Sequence, residues 1–282
     1  MDAKQVLQFA EEVCAKHSLR FVKACAAGAF KHTFHVTNGA DNLALKLIVG
    51  DIDKARIERE IGALRACSHK NISRLIAVHQ ELCGSREIVC LLEEYLDGGT
   101  LAEKLAGGNL ISTTECRSLA IALSGALDHL SSLGIVHRDI KPENIKFRAD
   151  GTPVLLDLGI ARHLSATTLT QAWAAQGPGT PVYAAPEQLL NEMRLIDWRT
   201  DQFSLGVTLS IAFLGLHPFS TRGDYRDVVD WVTNRRPPSD AFRAAVEDKQ
   251  LKVLGRMIES WPVKRFAKPK LLLNAWQGWA VE

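Results

Sequence analysis

Hydrophobic and polar positions change rhythm about a third of the way along the chain. Up to about residue 95, short β-like runs occupy 19–25, 32–37, 43–49, 75–80 and 87–95, and five such runs predict a small antiparallel sheet. A helix over residues 3–16 precedes them. Between the third and fourth runs, Ile57, Ile61 and Leu64 recur at i, i+4 and i+7, the stripe of an amphipathic helix. Glu60 falls on that stripe, so its carboxylate points inward and needs a partner. Leu96-Asp97-Gly98-Gly99-Thr100 is turn-forming and marks a hinge between two lobes. Longer helical patterns then take over. Ser112-Thr113-Thr114-Glu115 has capping-box spacing, and Cys116, Leu119, Ala120, Leu123, Leu127 and Leu130 hold helical periodicity until Gly134 stops it.

Composition narrows the class. The chain has 282 residues, 46% hydrophobic and 23% charged, which predicts one large or two medium globular domains with a substantial core. Lys and Arg exceed Asp and Glu by only 34 to 32, so a formal charge of +2 supplies no nucleic-acid footprint. The longest apolar run, 205–216, is about 12 residues against the roughly 20 needed to cross a bilayer, and predicts a core helix without membrane insertion. Six cysteines scattered over the first 116 residues show no C-x-x-C pair, which argues against a zinc site and for reduced, mostly buried thiols. Glu11 and Glu12 do not suit a secretory signal, so the expected location is cytoplasmic.

The chemistry begins after the long helix. Ile135-Val136-His137-Arg138-Asp139-Ile140-Lys141-Pro142-Glu143-Asn144-Ile145 matches H-R-D-x-x-x-x-N, with Asp139 and Asn144 five positions apart. Here the chain resembles the eukaryotic-like (Hanks-type) serine/threonine protein kinases. The resemblance implies that Asp139 orients and accepts the proton of a substrate hydroxyl, that Asn144 ligates Mg2+, and that Lys141 stabilises the transferring phosphoryl. Eighteen positions after Asp139, Asp157-Leu158-Gly159 looks like the D-F-G element with Leu in place of Phe, and implies a second carboxylate ligand for Mg2+, with Mn2+ as a substitute. Gly179-Thr180-Pro181-Val182-Tyr183-Ala184-Ala185-Pro186-Glu187 is similar to the end of an activation segment with its A-P-E, where protein substrates dock. The family would pair Glu187 with Arg265, and would use Asp201 to steady the catalytic-loop backbone from a helix N-terminus.

In the first lobe, Ala44-Leu45-Lys46 corresponds to the V-A-I-K strand whose lysine contacts the α- and β-phosphates, with Glu60, fourteen positions on, as its partner. Two stretches depart from the family. The phosphate-covering loop reads Ala26-Ala27-Gly28-Ala29-Phe30-Lys31 where G-x-G-x-x-G is usual, so Ala26, Gly28 and Phe30 would cover ATP with less φ freedom and less space. At the hinge, Glu94 and Leu96 would offer backbone groups to the adenine, and counting back from them puts Glu93 at the rear of its pocket, where an apolar residue or Thr is usual.

These motifs imply an α+β, bilobal protein-kinase-like fold: a helical extension over 1–18, a small lobe over 19–95 and a large helical lobe over 96–282. They imply transfer of the γ-phosphoryl of Mg-ATP to Ser or Thr of protein substrates, with autophosphorylation at Thr167, Thr168 or Thr170, since Arg138 beside Asp139 offers a phosphate a cationic partner. Two alternatives share the fold. A pseudokinase scaffold is motivated by the missing glycines and Glu93 but opposed by Lys46, Asp139, Asn144 and Asp157. A small-molecule kinase of the aminoglycoside-kinase type would generally lack the Thr180-bearing segment ending in A-P-E.

Overall fold

The computed structural model describes residues 2–27, 31–49, 61–62, 65–157, 181–220 and 225–280, which divide into two units. The first comprises the described residues of Met1–Ser68 and of Ser73–Leu96; the second those of His69–Ile72, Asp97–Gly159 and Leu169–Glu282. Helix α1 (Ala3–Lys16) opens the first unit, its end closed by a reciprocal capping box between Asp2 and Gln5. Strands β1 (Arg20–Ala27), β2 (Lys31–Thr37), β3 (Asn42–Ile48), β4 (Leu75–Cys83) and β5 (Arg86–Glu94) follow. They form one antiparallel sheet in the spatial order β1-β2-β3-β5-β4.

Strand β3 is buried on both faces, and the reason lies in α1. Successive side chains of a strand point to opposite faces. Leu43, Leu45 and Leu47 of β3, with Ile88, Cys90 and Leu92 of β5 and Phe34 and Val36 of β2, form one cluster with Val6, Phe9, Ala10, Val13 and Cys14 of α1. The helix therefore supplies five of the thirteen buried residues of this cluster. The other face carries Ala44, Lys46 and Ile48 beside Val89, Leu91 and Glu93, all buried. Strand β4 runs three residues past its expected end because Gly84, at φ +62°, lets a tight turn pair Cys83 with Arg86. Glu81, the acidic residue in that extension, is covered by Lys16 (2.6 Å) and His17 (2.7 Å) at the end of α1.

The second unit is mainly helical: α2 (Leu101–Leu105), α3 (Thr113–Ser132), α4 (Pro186–Leu189), α5 (Trp198–Leu214), α6 (Tyr225–Thr233), α7 (Asp240–Asp248), α8 (Lys252–Met257) and α9 (Pro269–Gln277). Strands β6 (Ile145–Phe147) and β7 (Pro153–Leu155) pair as a small ribbon. Helix α3 begins with the expected Ser112/Glu115 capping box, and Gly134, at φ +69°, lies just past its end. Helix α5, containing the long apolar run, is buried over most of its length. Gly206 lets it approach closely: a Cβ there would lie 2.7 Å from Ile258 Cγ2 and 3.0 Å from Met257 Cβ. In the expected hinge stretch, the Gly98 N–H donates to Phe147 O, and a Cβ on Gly98 would stand 2.7 Å from the carbonyl oxygens of Phe147 and Arg148. No described helix is long and apolar enough to cross a membrane. All six cysteines are unpaired, but only Cys14, Cys90 and Cys116 are buried; burial pushes the last two thiols up to about 12, so they are inert packing groups.

Candidate active site

The segment between α3 and β6 is held by a carboxylate from α5. Asp201, in the first turn of that helix, is buried and accepts the N–H groups of His137 (Oδ2, 2.7 Å) and Arg138 (Oδ1, 2.7 Å). Between them these bonds hold Arg138 at φ +64°, a left-handed conformation that a residue with a Cβ adopts only under constraint. Gln188 of α4 adds a bond to the Arg138 carbonyl at 2.8 Å. Burial pushes the Asp201 carboxyl up to about 7, against the pull of the two amide donors and the Arg138 charge.

His137 is the internal strut. Its Nδ1 accepts the Asp139 N–H at 3.2 Å, which leaves Nε2 as the protonated nitrogen donating to Leu156 O at 2.8 Å. The imidazole thus couples the backbone of Asp139 to the residue preceding Asp157. A second tie runs beside it, from Leu156 N–H to Asn144 O at 2.8 Å. Asp157 itself sits at φ +59° with a half-buried side chain.

On this frame the polar side chains converge on Asp139. Asn144 Nδ2 donates to the Asp139 carbonyl (2.8 Å) and to its Oδ2 (3.0 Å), while Lys141 Nζ stands 3.3 Å from the same Oδ2. With both amide hydrogens engaged, Asn144 presents its carbonyl oxygen. That oxygen and the Asp157 carboxylate are hard donors of the kind Mg2+ takes, so the residues present fit the ion.

The end of the 157–187 stretch is fastened deep in the same unit. Glu187 and Arg265 form a fully buried bidentate pair (2.7 and 3.1 Å), joined by Thr200 Oγ1 at 2.9 Å. The guanidinium also donates to the carbonyls of Arg199, Glu259 and Ser260 and lies over the Phe203 ring, so its donors are matched. The expected Glu187–Arg265 pair is present. His217 fixes Val182 by donating to its carbonyl at 2.8 Å, its Nδ1 accepting from Phe219 N–H.

In the first unit, Lys46 is 4% exposed and pairs with Glu93 at 2.6 Å; the same Glu93 oxygen accepts the Ser73 hydroxyl at 2.7 Å. Neither Glu93 nor Ser73 was expected as a partner of Lys46. The signal was available once strands are set in register: with Ala44 opposite Glu93, Lys46 lies diagonally across from it on the same sheet face. Ala44 ends up buried beside this group, and Ala26 pairs in backbone register with Thr33. Glu94 accepts the Arg74 N–H through its side chain and donates its own N–H to Arg74 O, while Leu96 is buried. Gly28, Phe30, Glu60, Leu158, Gly159, Thr167, Thr168, Thr170 and most of the helix expected around Ile57 and Leu64 lie outside the described residues.

The model of the protein kinase domain matches residues 26–277. The chain belongs to the protein kinase domain family. It is 34% identical over 204 residues to the probable serine/threonine-protein kinase PknB of Bifidobacterium longum, covering 68% of this chain and 28% of that protein. It is 28% identical over 219 residues to the serine/threonine-protein kinase ppk34 of Schizosaccharomyces pombe, covering 77% and 59%. The chain thus spans less than two thirds of the length of these curated relatives. A crystal structure of Rad53 1-466 in complex with AMP-PNP superposes with a TM-score of 0.73 at 20% identity, over 93% of this chain and 66% of that one, which shows the fold. The sheet unit and the helical unit are the two lobes of a bilobal α+β kinase fold.

Proposed function

We propose that this kinase-family chain transfers the γ-phosphoryl of Mg-ATP to Ser or Thr side chains of protein substrates and phosphorylates its own 157–187 segment. The observation that carries the reading is the triple convergence on Asp139: its Oδ2 is engaged by Asn144 and Lys141 while its backbone is tied through His137 to the residue before Asp157. A carboxylate held this way would orient an incoming hydroxyl and take its proton. Lys141 would offset charge on the phosphoryl in transit, and Lys46 would hold the α- and β-phosphates. Asn144 and Asp157 would hold Mg2+, which when bound neutralises charge on the β- and γ-phosphates. The scaffold alternative leaves this oriented carboxylate without a task, and the fastened Glu187 end favours protein acceptors over small molecules.

The test is incubation of the chain with γ-labelled ATP, Mg2+ and a generic acceptor protein, with phosphosite mapping. Wild type is expected to label the acceptor and its own 157–187 stretch. Asp139→Asn should lower kcat by at least about 10²-fold while leaving ATP affinity nearly unchanged, and Asp157→Ala should lose Mg-dependent nucleotide binding as well. Absence of transfer by wild type with either Mg2+ or Mn2+ would return the chain to the scaffold reading.

A further inference from the structure

We propose that Glu93, anchored by Ser73, is a positioning residue that holds the Lys46 ammonium in place for the nucleotide's phosphates; this rests on the kinase reading above and assigns the sheet its own counter-charge. Lys46 is 4% and Glu93 7% exposed, and they share their sheet face with Ala44, Ile48, Val89 and Leu91. In such surroundings an ammonium stays charged only beside a matched anion, and Glu93 Oε2 stands 2.6 Å from Nζ. Strand register fixes the separation of the two Cα atoms. The carboxylate rotamer is fixed in turn, because Ser73 donates to the same Oε2 at 2.7 Å while Arg74 is clamped to Glu94 by two backbone-borne hydrogen bonds (2.9 and 3.0 Å).

Buried ion pairs are poor devices for stability alone, since well-packed apolar residues of similar volume do as well or better. A buried pair here is explained by a need for positive charge at one point. One of the three Lys46 N–H donors is directed at Glu93, and Ser73 keeps the acceptor from following the lysine when it engages phosphate. The sheet then carries the lysine's orientation through β5 and the start of β4.

A double-mutant cycle on the full chain tests this, with ATP and adenosine affinities measured by calorimetry in Mg2+ and melting followed in parallel. Glu93→Gln retains shape and the Ser73 hydrogen bond but removes the charge, and should weaken ATP binding about tenfold while changing adenosine binding less than about twofold. Ser73→Ala should move ATP affinity in the same direction by about threefold, and it decides the matter if Glu93→Gln fails to fold. In a Lys46→Met background Glu93→Gln should cost nothing further, because Glu93 acts through the lysine. Equal losses in both backgrounds, equal losses for ATP and adenosine, or no loss with Lys46 present would each overturn the proposal. A wild type that binds and turns over ATP with Glu93→Gln unaffected sinks this inference alone; a wild type that binds no ATP sinks the kinase reading with it.

Discussion

Asp201 shows how much one side chain of α5 does for the 137–144 segment. Its two oxygens satisfy two adjacent N–H groups and thereby hold Arg138 in a conformation that costs about 1–2 kcal/mol for a residue with a Cβ. Asn at this position can accept through one oxygen only, and its NH2 would face the second amide donor. Asp201→Asn should therefore destabilise the protein by about 1–3 kcal/mol and lower kcat at least about tenfold, read by urea unfolding alongside turnover. The pH dependence carries a sign. Burial raises this carboxyl from 3.8 to about 7, outweighing the two amide donors that favour its ionised form. Its contribution to stability is present in full below 3.8 and is lost as pH rises through about 7; the slope across that window should flatten in Asp201→Asn, which does not titrate.

Among the elements, α1 is the one whose packing is least like a loose extension. Five of its residues are buried against β2, β3 and β5, and burying a large apolar side chain is worth about 1.5–3 kcal/mol. Phe9→Ala should cost about 3–5 kcal/mol, whereas Leu7→Ala, at a position 38% exposed on the edge of the buried face, should cost about 1 kcal/mol or less. Equal effects in urea unfolding would mean that α1 does not cover the sheet in solution. The sheet in turn explains how Lys46 is oriented: β3 is flanked by β2 and β5, so its backbone bonds on both edges are made and its side chains have no freedom of register.

At the scale of the chain as a whole, the Glu187–Arg265 pair joins residues 78 positions apart and fully excludes both charges from water. Removing one partner leaves the other as an uncompensated buried charge. Arg265→Leu should cost about 3–5 kcal/mol, measured by denaturant unfolding, and Glu187→Leu in the same background should recover part of it. If the double variant were no more stable than Arg265→Leu, the pair would not be the source of the loss.

Family resemblance gave the expectation of the Glu187–Arg265 pair, 78 positions apart; the residues themselves determined what depends on neighbours along the chain: five strand segments, the capped α3 and the His137–Asn144 loop. Those signals are local because caps, strand alternation and the five-residue spacing of Asp139 and Asn144 are set by backbone geometry over a few residues. Tertiary structure decided the rest. It put α1 over one face of the sheet, chose the His137 tautomer, strained Arg138 against a helix 63 positions away, and set Glu93, 47 positions from Lys46, beside its ammonium. None of these is readable locally, because which face and which rotamer a side chain takes is settled only when strand register and packing bring distant residues together, and a buried charge then takes whichever partner that register leaves within hydrogen-bond reach.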